Sequence, residues 1–347
     1  MSRIGLFGIN VYRLEKRLAA ALAPTILLGA SLCSAQPSAV SLSFPQLIFP
    51  VKCDVGKSCL VQKLVDHDPG PGRQDYRCGT LTTDGHDGVD IRLRTMQDMA
   101  TEYHVVAAAD GTVLRTRDGE PDVSSLDRTD RDGKDAGNGV VVDHGNGWET
   151  QYSHLKSGSV VVHPGQKVTA GERLGYIGMS GNSEFPHLHF SVRHDGTAID
   201  PFDSAAIHSQ CSPAATVTGM WTPASARGLG YVPTAAITVG FASEVPPRSV
   251  AARIAPPQTG RHQPLLLWVD IMGVEDGDVQ EFSIAAPNGN PVHAQLVRVA
   301  SGGLSWFAYS GKRAPTSGWA AGRYTGRYVL KRDGQPIIDV ETAVNMQ

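Results

Sequence analysis

Between residues 86 and 202 short apolar runs alternate with polar positions and glycine turns, and no ten-residue window carries a convincing 3.6-residue period. That pattern predicts antiparallel β structure rather than helices. VVAAADGTVLRT (105–116) predicts two strands around Asp110-Gly111, and GNGVVVDHGNGWETQYSHL (137–155) predicts two more around His144 to Gly147. The stretches 158–178 and 187–200 continue the series. Val89, Ile91 and Leu93 alternate with Asp90, Arg92 and Arg94, which points Asp90 away from the core. Two segments interrupt the rhythm. Residues 36–78 read as an irregular leading segment pinned by cysteines, and residues 117–136 read as a charged, polar loop.

After Cys211 the composition changes. Residues 212–263 are rich in Pro, Ala and Gly and read as a linker region. Six strand-like runs then follow from Pro264 to Val344, with turns such as Pro287-Asn288-Gly289 and Asp333-Gly334. They predict a smaller C-terminal β-sandwich over 264–347 that carries no recognisable chemistry, an accessory module whose partner the sequence does not name. The fold class expected is therefore all-β, with one larger antiparallel domain over 36–211 (core 79–203) and this smaller one.

The N-terminus reads as an address. Arg3, Arg13, Lys16 and Arg17 precede the apolar stretch Leu18 to Leu32, which is interrupted by Pro24 and ends in small residues at Cys33-Ser34-Ala35. This is the pattern of a secretory signal peptide over 1–35, cut near Ala35, with an exported, periplasmic or extracellular product. A span wants about 20 apolar residues, so no membrane span is expected in the mature chain. Removing four basic residues and one acidic residue takes the net charge from −3 to −6. Lys+Arg (31) and Asp+Glu (34) nearly balance and no basic run interleaves with aromatics, so nucleic-acid binding has no electrostatic support. Cys53, Cys59, Cys78 and Cys211 remain, an even set that predicts disulfides. Of the three pairings, Cys53–Cys59 with Cys78–Cys211 is expected. No C-x₂-C spacing supports a cysteine–zinc cluster.

Three segments carry candidate chemistry. In Gly85-His86-Asp87-Gly88-Val89-Asp90, the histidine and the second acid share parity on a strand entered from a turn. In His187-Leu188-His189-Phe190, two imidazoles sit at i and i+2 on one strand face, opposite an apolar face. In Gln151 to Leu155, His154 lies between apolar neighbours. Each alone is an ordinary feature of a folded protein, and together they form a set with metal-ligand and acid–base character.

H-x-G-x-D (His86, Gly88, Asp90), Y-x-H-L (Tyr152 to Leu155) and P-H-L-H-F (Pro186 to Phe190) resemble the lysostaphin-type, LytM-like zinc metallopeptidases, as does the stretch HPGQKVTAGERLGYIGMSG at 163–181. The resemblance covers about residues 79–203. It implies a compact antiparallel β fold related to the duplicated hybrid motif, and cleavage of peptide cross-links in bacterial peptidoglycan. It implies one Zn²⁺ per chain on His86, Asp90 and His189, with His154 and His187 as the two non-ligand catalytic histidines. Two imidazoles and a carboxylate suit Zn²⁺ and leave a fourth position for water. Two further imidazoles supply groups that titrate near neutrality.

The chain departs from the family in Gly181 to Pro186, where a Thr-Gly pair before the proline is more usual, so substrate preference is open. Glu184 reads as a loop residue at the cleft mouth. Tyr76 is too loosely spaced to be assigned an oxyanion role. His144 reads as a turn residue, and His67, His104, His163 and His194 show no ligand pattern. Other readings of the same residues are a non-haem iron triad, a structural zinc closed by His154 or His187, and a catalytically inactive relative that binds cell wall or activates another hydrolase.

Overall fold

The alternating segments fold as antiparallel strands in the computed structural model, which describes residues 45–127, 133–217, 219–245 and 260–347. The expected signal peptide lies outside the described residues, and no helix among these is long and apolar enough to cross a membrane. The first ten strands are β1 (Cys59–Lys63), β2 (Val89–Leu93), β3 (His104–Val106), β4 (Gly111–Arg117), β5 (Asn138–Gly145), β6 (Trp148–Leu155), β7 (Lys167–Val168), β8 (Arg173–Tyr176), β9 (His187–His194) and β10 (Thr197–Ile199). The main sheet runs β1-β2-β9-β6-β5-β4-β7, with β10 paired to β9, while β3 and β8 form a small sheet of their own. Its core face is the apolar half of each alternation: Val89 and Ile91 of β2, Leu188 and Phe190 of β9, Tyr152 of β6, and Val140 and Val142 of β5 are all fully buried.

One predicted hairpin does not form. β3 and β4 belong to different sheets, although a turn was expected between them at Asp110-Gly111. The intervening Ala107 and Ala108 are fully buried, and small side chains let the backbone pass through the core. Their main-chain groups are satisfied elsewhere. Ala107 N–H donates to Glu172 O, Ala108 N–H to the Tyr152 hydroxyl, and Ala108 O accepts from Ile48 N–H.

Both expected disulfides are present, Cys53–Cys59 and Cys78–Cys211, the second joining positions 133 residues apart. Residues expected as a linker are instead largely built into the fold. Leu47 exchanges backbone hydrogen bonds with Met220 and Thr222, and Met220, Trp221 and Leu229 are buried in the core of the first domain. A single helical turn, α1 (Pro223–Ala226), follows, capped by Thr222. β11 (Ala235–Ala242) then pairs with β12 (Leu265–Val274). Apolar burial at Ile237 and Phe241 offsets the flexible composition that suggested a linker.

The remaining strands are β13 (Val279–Ala285), β14 (Pro291–Arg298), β15 (Gly303–Lys312), β16 (Gly322–Arg332) and β17 (Gln335–Met346). Sheets β11-β12-β15 and β14-β13-β16-β17 pack around Phe241, Leu267, Val269, Phe282, Tyr328 and Leu330. The run LLLWVDIM on β12 does not alternate because both of its faces are covered. Its second face lies on β1 and β2 of the first domain. Leu60 packs with Ile237 and Met272, and the buried Arg92 guanidinium pairs with Asp270 at 3.1 Å while donating to Gln62 Oε1 at 3.2 Å. Gln62 in turn donates to Ser305 Oγ, and Arg94 donates to the carbonyls of Ala236 and Ile237.

Removing one partner of a buried ion pair leaves a desolvated charge. Asp270→Ala is therefore expected to lower stability by about 3–5 kcal/mol, with a smaller loss for Asp270→Asn, read as urea unfolding midpoints. Reduction by DTT is expected to lower the melting temperature, because opening Cys78–Cys211 restores conformational freedom to the unfolded chain.

Candidate metal centre

β2 and β9 are hydrogen-bonded neighbours, and their register places Asp90 directly opposite His189. His86 arrives from the turn before β2, where its N–H donates to Thr83 O and its own carbonyl accepts from Asp66 N–H. Gly88 is required between them, since a Cβ there would lie 2.8 Å from His189 Nε2 and 2.7 Å from Phe190 O. His86 Nε2 lies 3.1 Å and His189 Nδ1 2.9 Å from Asp90 Oδ1, and the ligand atoms of the three residues all fall within 4.8 Å of one another. His187 Nε2 lies 3.6 Å from the same oxygen. Its ring is 4.6 Å from that of His154, which lies 6.0 Å from the ring of His189.

Each of these four imidazoles is anchored by its outer nitrogen. His86 Nδ1 donates to Leu64 O at 2.7 Å, His154 Nδ1 to Ser180 O at 2.8 Å, His187 Nδ1 to Phe185 O at 2.9 Å, and His189 Nε2 to Asp87 Oδ1 at 3.2 Å. The anchor fixes which nitrogen faces inward. The inward lone pairs of neutral His86 and His189 would then confront a carboxylate oxygen at hydrogen-bond distance. Such a contact is repulsive unless a proton or a cation stands between them. Two imidazole nitrogens and one carboxylate oxygen form a donor set suited to a divalent transition metal, so these residues fit such an ion.

The electrostatics reflect this convergence. Burial alone raises the Asp90 carboxyl, but His86, His187, Lys63 and the His189 hydrogen bond together hold it well below the usual carboxylate range. Burial lowers His189, yet hydrogen bonds and charges from Asp87 and Asp90 prevail and lift it to about 9. His154 falls to about 4, first through burial and then through the charge of His189. His187 is held well below the usual imidazole range, chiefly by burial. At neutral pH His154 and His187 are therefore neutral bases.

All five residues singled out in the sequence thus converge. His154 carries a left-handed backbone (φ 61°) at the end of β6, a conformation costing on the order of 1 kcal/mol for a side-chain-bearing residue. Its N–H donates to Ala136 O, which holds that conformation in place. The residues border a cleft of about 350 Å³ that also includes Lys63, Glu184, Phe185, Leu304 and Ser305. Glu184 stands at this cleft as expected. Lys63 was not anticipated, because it lies in the leading segment that reads as irregular in the sequence, whereas Cys59–Lys63 forms the strand β1. Its ammonium lies 3.0 Å from Asp90 Oδ2. Leu304 and Ser305 come from β15, so the C-terminal module supplies part of the wall.

The other candidates lie elsewhere. Tyr76 is buried and stacked on Phe202, away from the cleft lining. His144 pins its turn to Asp110 O and Thr150 Oγ1. His67, which showed no pattern in the sequence, meets Asp200 at 3.2 Å and Asp203 at 4.0 Å in a second cluster close enough to hold a cation. Both His67 nitrogens are engaged, the other with Ser209 O at 3.1 Å, so the ring reads as a clamp between the leading segment and the end of the domain.

The first domain is thus an antiparallel β fold with a convergent His₂Asp cluster close enough to hold a metal ion and two further inward histidines. Residues 84–201, about a third of the chain, match the family model described as Peptidase family M23. The cell division protein DipM of Caulobacter vibrioides is 37% identical over 105 residues, covering 28% of this chain and 17% of DipM. The peptidoglycan DD-endopeptidase ShyA of Vibrio cholerae is 42% identical over 65 residues, covering 19% of this chain and 15% of ShyA. The match thus spans about a sixth of the length of these curated relatives. Among solved structures, the catalytic domain of lysostaphin from Staphylococcus simulans is 22% identical, covering 40% of this chain and 85% of that one, with a TM-score of 0.26.

A divalent cation entering this site must displace the proton on His189, which is held to about 9. Metal uptake by the metal-free protein at pH 7 is therefore expected to release protons. Calorimetric titration in two buffers of different ionisation enthalpy measures this, and His189→Ala is expected to weaken binding at least tenfold, by analogy with the loss of a buried charge-assisted contact.

Proposed function

We propose that this chain is an exported zinc endopeptidase that hydrolyses peptide cross-links of bacterial peptidoglycan, with His86, Asp90 and His189 holding one Zn²⁺. The observation that carries the reading is the convergence of His86 Nε2 and His189 Nδ1 on Asp90 Oδ1, with two more anchored imidazoles facing the same cleft. The M23 domain match and the peptidoglycan endopeptidases among the relatives support the substrate class. The basic, then apolar, N-terminal sequence supports export.

When bound, zinc supplies Lewis acidity for a peptide carbonyl and for water. The protein's own contribution starts with Lys63, which holds Asp90 Oδ2 and thereby turns Oδ1 toward the imidazoles. Asp87 orients His189 from outside, as Leu64 O orients His86. His154 and His187 are neutral and present Nε2 to the cleft, so as a pair they take the proton that attacking water loses. The imidazolium formed is a donor for the developing oxyanion or the departing amine. Burial favours returning that proton, because a charged imidazole held away from water is disfavoured. Phe185, with Arg92 stacked 4.2 Å from its ring centroid, packs against His187 and keeps bulk water from one side of the pair.

The test is digestion of purified peptidoglycan with muropeptide mass spectrometry and metal analysis of each variant. His154→Ala and His187→Ala are expected to retain zinc and lose about 10²–10⁴-fold in rate. Asp90→Ala is expected to lose both zinc and activity, and a chelator should abolish wild-type turnover until zinc is returned. Stoichiometric zinc with no hydrolysis of any cell-wall peptide would overturn the reading and leave a wall-binding module.

A further inference from the structure

The main sheet has a second face, away from the core of the first domain, and its register lines up two rows of side chains on it. In the first row Asp90 of β2 lies opposite His189 of β9, and His189 lies opposite Ser153 of β6. Gly139 of β5 falls between the Asn138–Leu155 and Val140–Tyr152 pairs, beside Ser153, and lies opposite Arg117 of β4. The second row runs Ser191, Gln151, Val141, Arg115 across the last four of these strands, β9, β6, β5 and β4. A groove of about 230 Å³ follows these rows over β6, β5 and β4, with Gln151 and Ser153 at one end and Arg115 and Arg117 at the other. Its floor connects to the candidate metal centre through hydrogen bonds from Gln151 to Ser153 Oγ and from Arg193 to Gln151 Oε1 and Asp87 Oδ2.

The opposite direction is closed. Beyond Asp90 the same face of β2 and β1 is covered by β12 and β15, which bury Arg92 against Asp270 and set Leu304 and Ser305 at the cleft edge. An extended peptide that reaches the cluster can continue along these rows over β6, β5 and β4. It crosses three inter-strand steps of about 4.8 Å, a distance spanned by about four extended residues.

We infer that this groove is a subsite for one arm of the substrate peptide and that Arg115 and Arg117 receive a carboxylate on that arm, three or four residues from the cleaved bond. The inference rests on the endopeptidase reading above and adds the charge its substrate must carry. Both arginines are exposed and hold their own neighbours loosely. Arg115 has Glu149 at 3.8 Å, and Arg117 gives one N–H to Gly137 O at 3.3 Å. A guanidinium has five N–H donors in a planar fork, so each retains the geometry for bidentate capture of a carboxylate. Arg193, which donates to Gln151 in the groove floor, is already paired with Asp87 at 2.9 Å.

The experiment compares two cross-linked peptides prepared from peptidoglycan, one with free carboxylates and one with the same carboxylates amidated. Each is digested by wild type, by the Arg115→Ala/Arg117→Ala double variant and by the corresponding double Lys variant. Wild type is expected to favour the free acid about tenfold, through KM. The double Ala variant should raise KM for the acid about tenfold with kcat unchanged, show no preference between the two peptides and melt as wild type does. The Lys variant should regain part of the preference, because it restores charge without the bidentate fork. Equal cleavage of both peptides by wild type, unaltered in the Ala variant, would overturn this inference alone. Failure of wild type to cleave either peptide would overturn the endopeptidase reading and this inference with it.

Discussion

The organisation of the molecule follows from one buried carboxylate. Asp90 is 1% exposed, and an ionised acid so far from water is strongly disfavoured unless it is paired. Three imidazoles and the Lys63 ammonium surround it, two ring nitrogens and the ammonium at 3.1 Å or less. Those partners come from the turn before β2, from β9 and from β1, so the acid ties distant parts of the chain to one point. The carbonyls and the carboxylate behind the imidazoles extend that order outward. The strained backbone of His154 is tolerated because its N–H and its ring are both held.

The C-terminal sandwich matters to this centre because it makes the surroundings of Asp90 dry. Alternation on β2 turns Asp90 and Arg92 away from the core of the first domain, where they would ordinarily meet solvent. β12 and β15 cover that face instead. Arg92 is consequently buried between Asp270 and the ring of Phe185, two residues before His187. The C-terminal module thus encloses one side of the cleft.

A second buried network serves stability. His67, Asp200 and Asp203 lie where the leading segment meets the end of the first domain, close to the Cys78–Cys211 bridge in sequence at both ends. Burial alone would lower the His67 pKa, but the Asp200 hydrogen bond and the Asp200 and Asp203 charges raise it, as expected of a paired imidazolium. This cluster lies outside the lining of the cleft that the Asp90 centre borders.

What the sequence by itself determined was set by local geometry. A strand has a two-residue period, so His187 and His189 had to share a face of their strand, and Val89, Ile91 and Leu93 had to share a face of theirs. The even cysteine set and the paired histidine and acid motifs were legible for the same reason: each is encoded within a few residues. Which remote strands lie side by side was decided only by tertiary packing. That is why Lys63 on Asp90, His67 with Asp200, β3 with β8, and Leu304 at the cleft could not be read from their neighbours in the chain. Such contacts depend on how whole sheets bury their apolar faces against one another, and no local period records that.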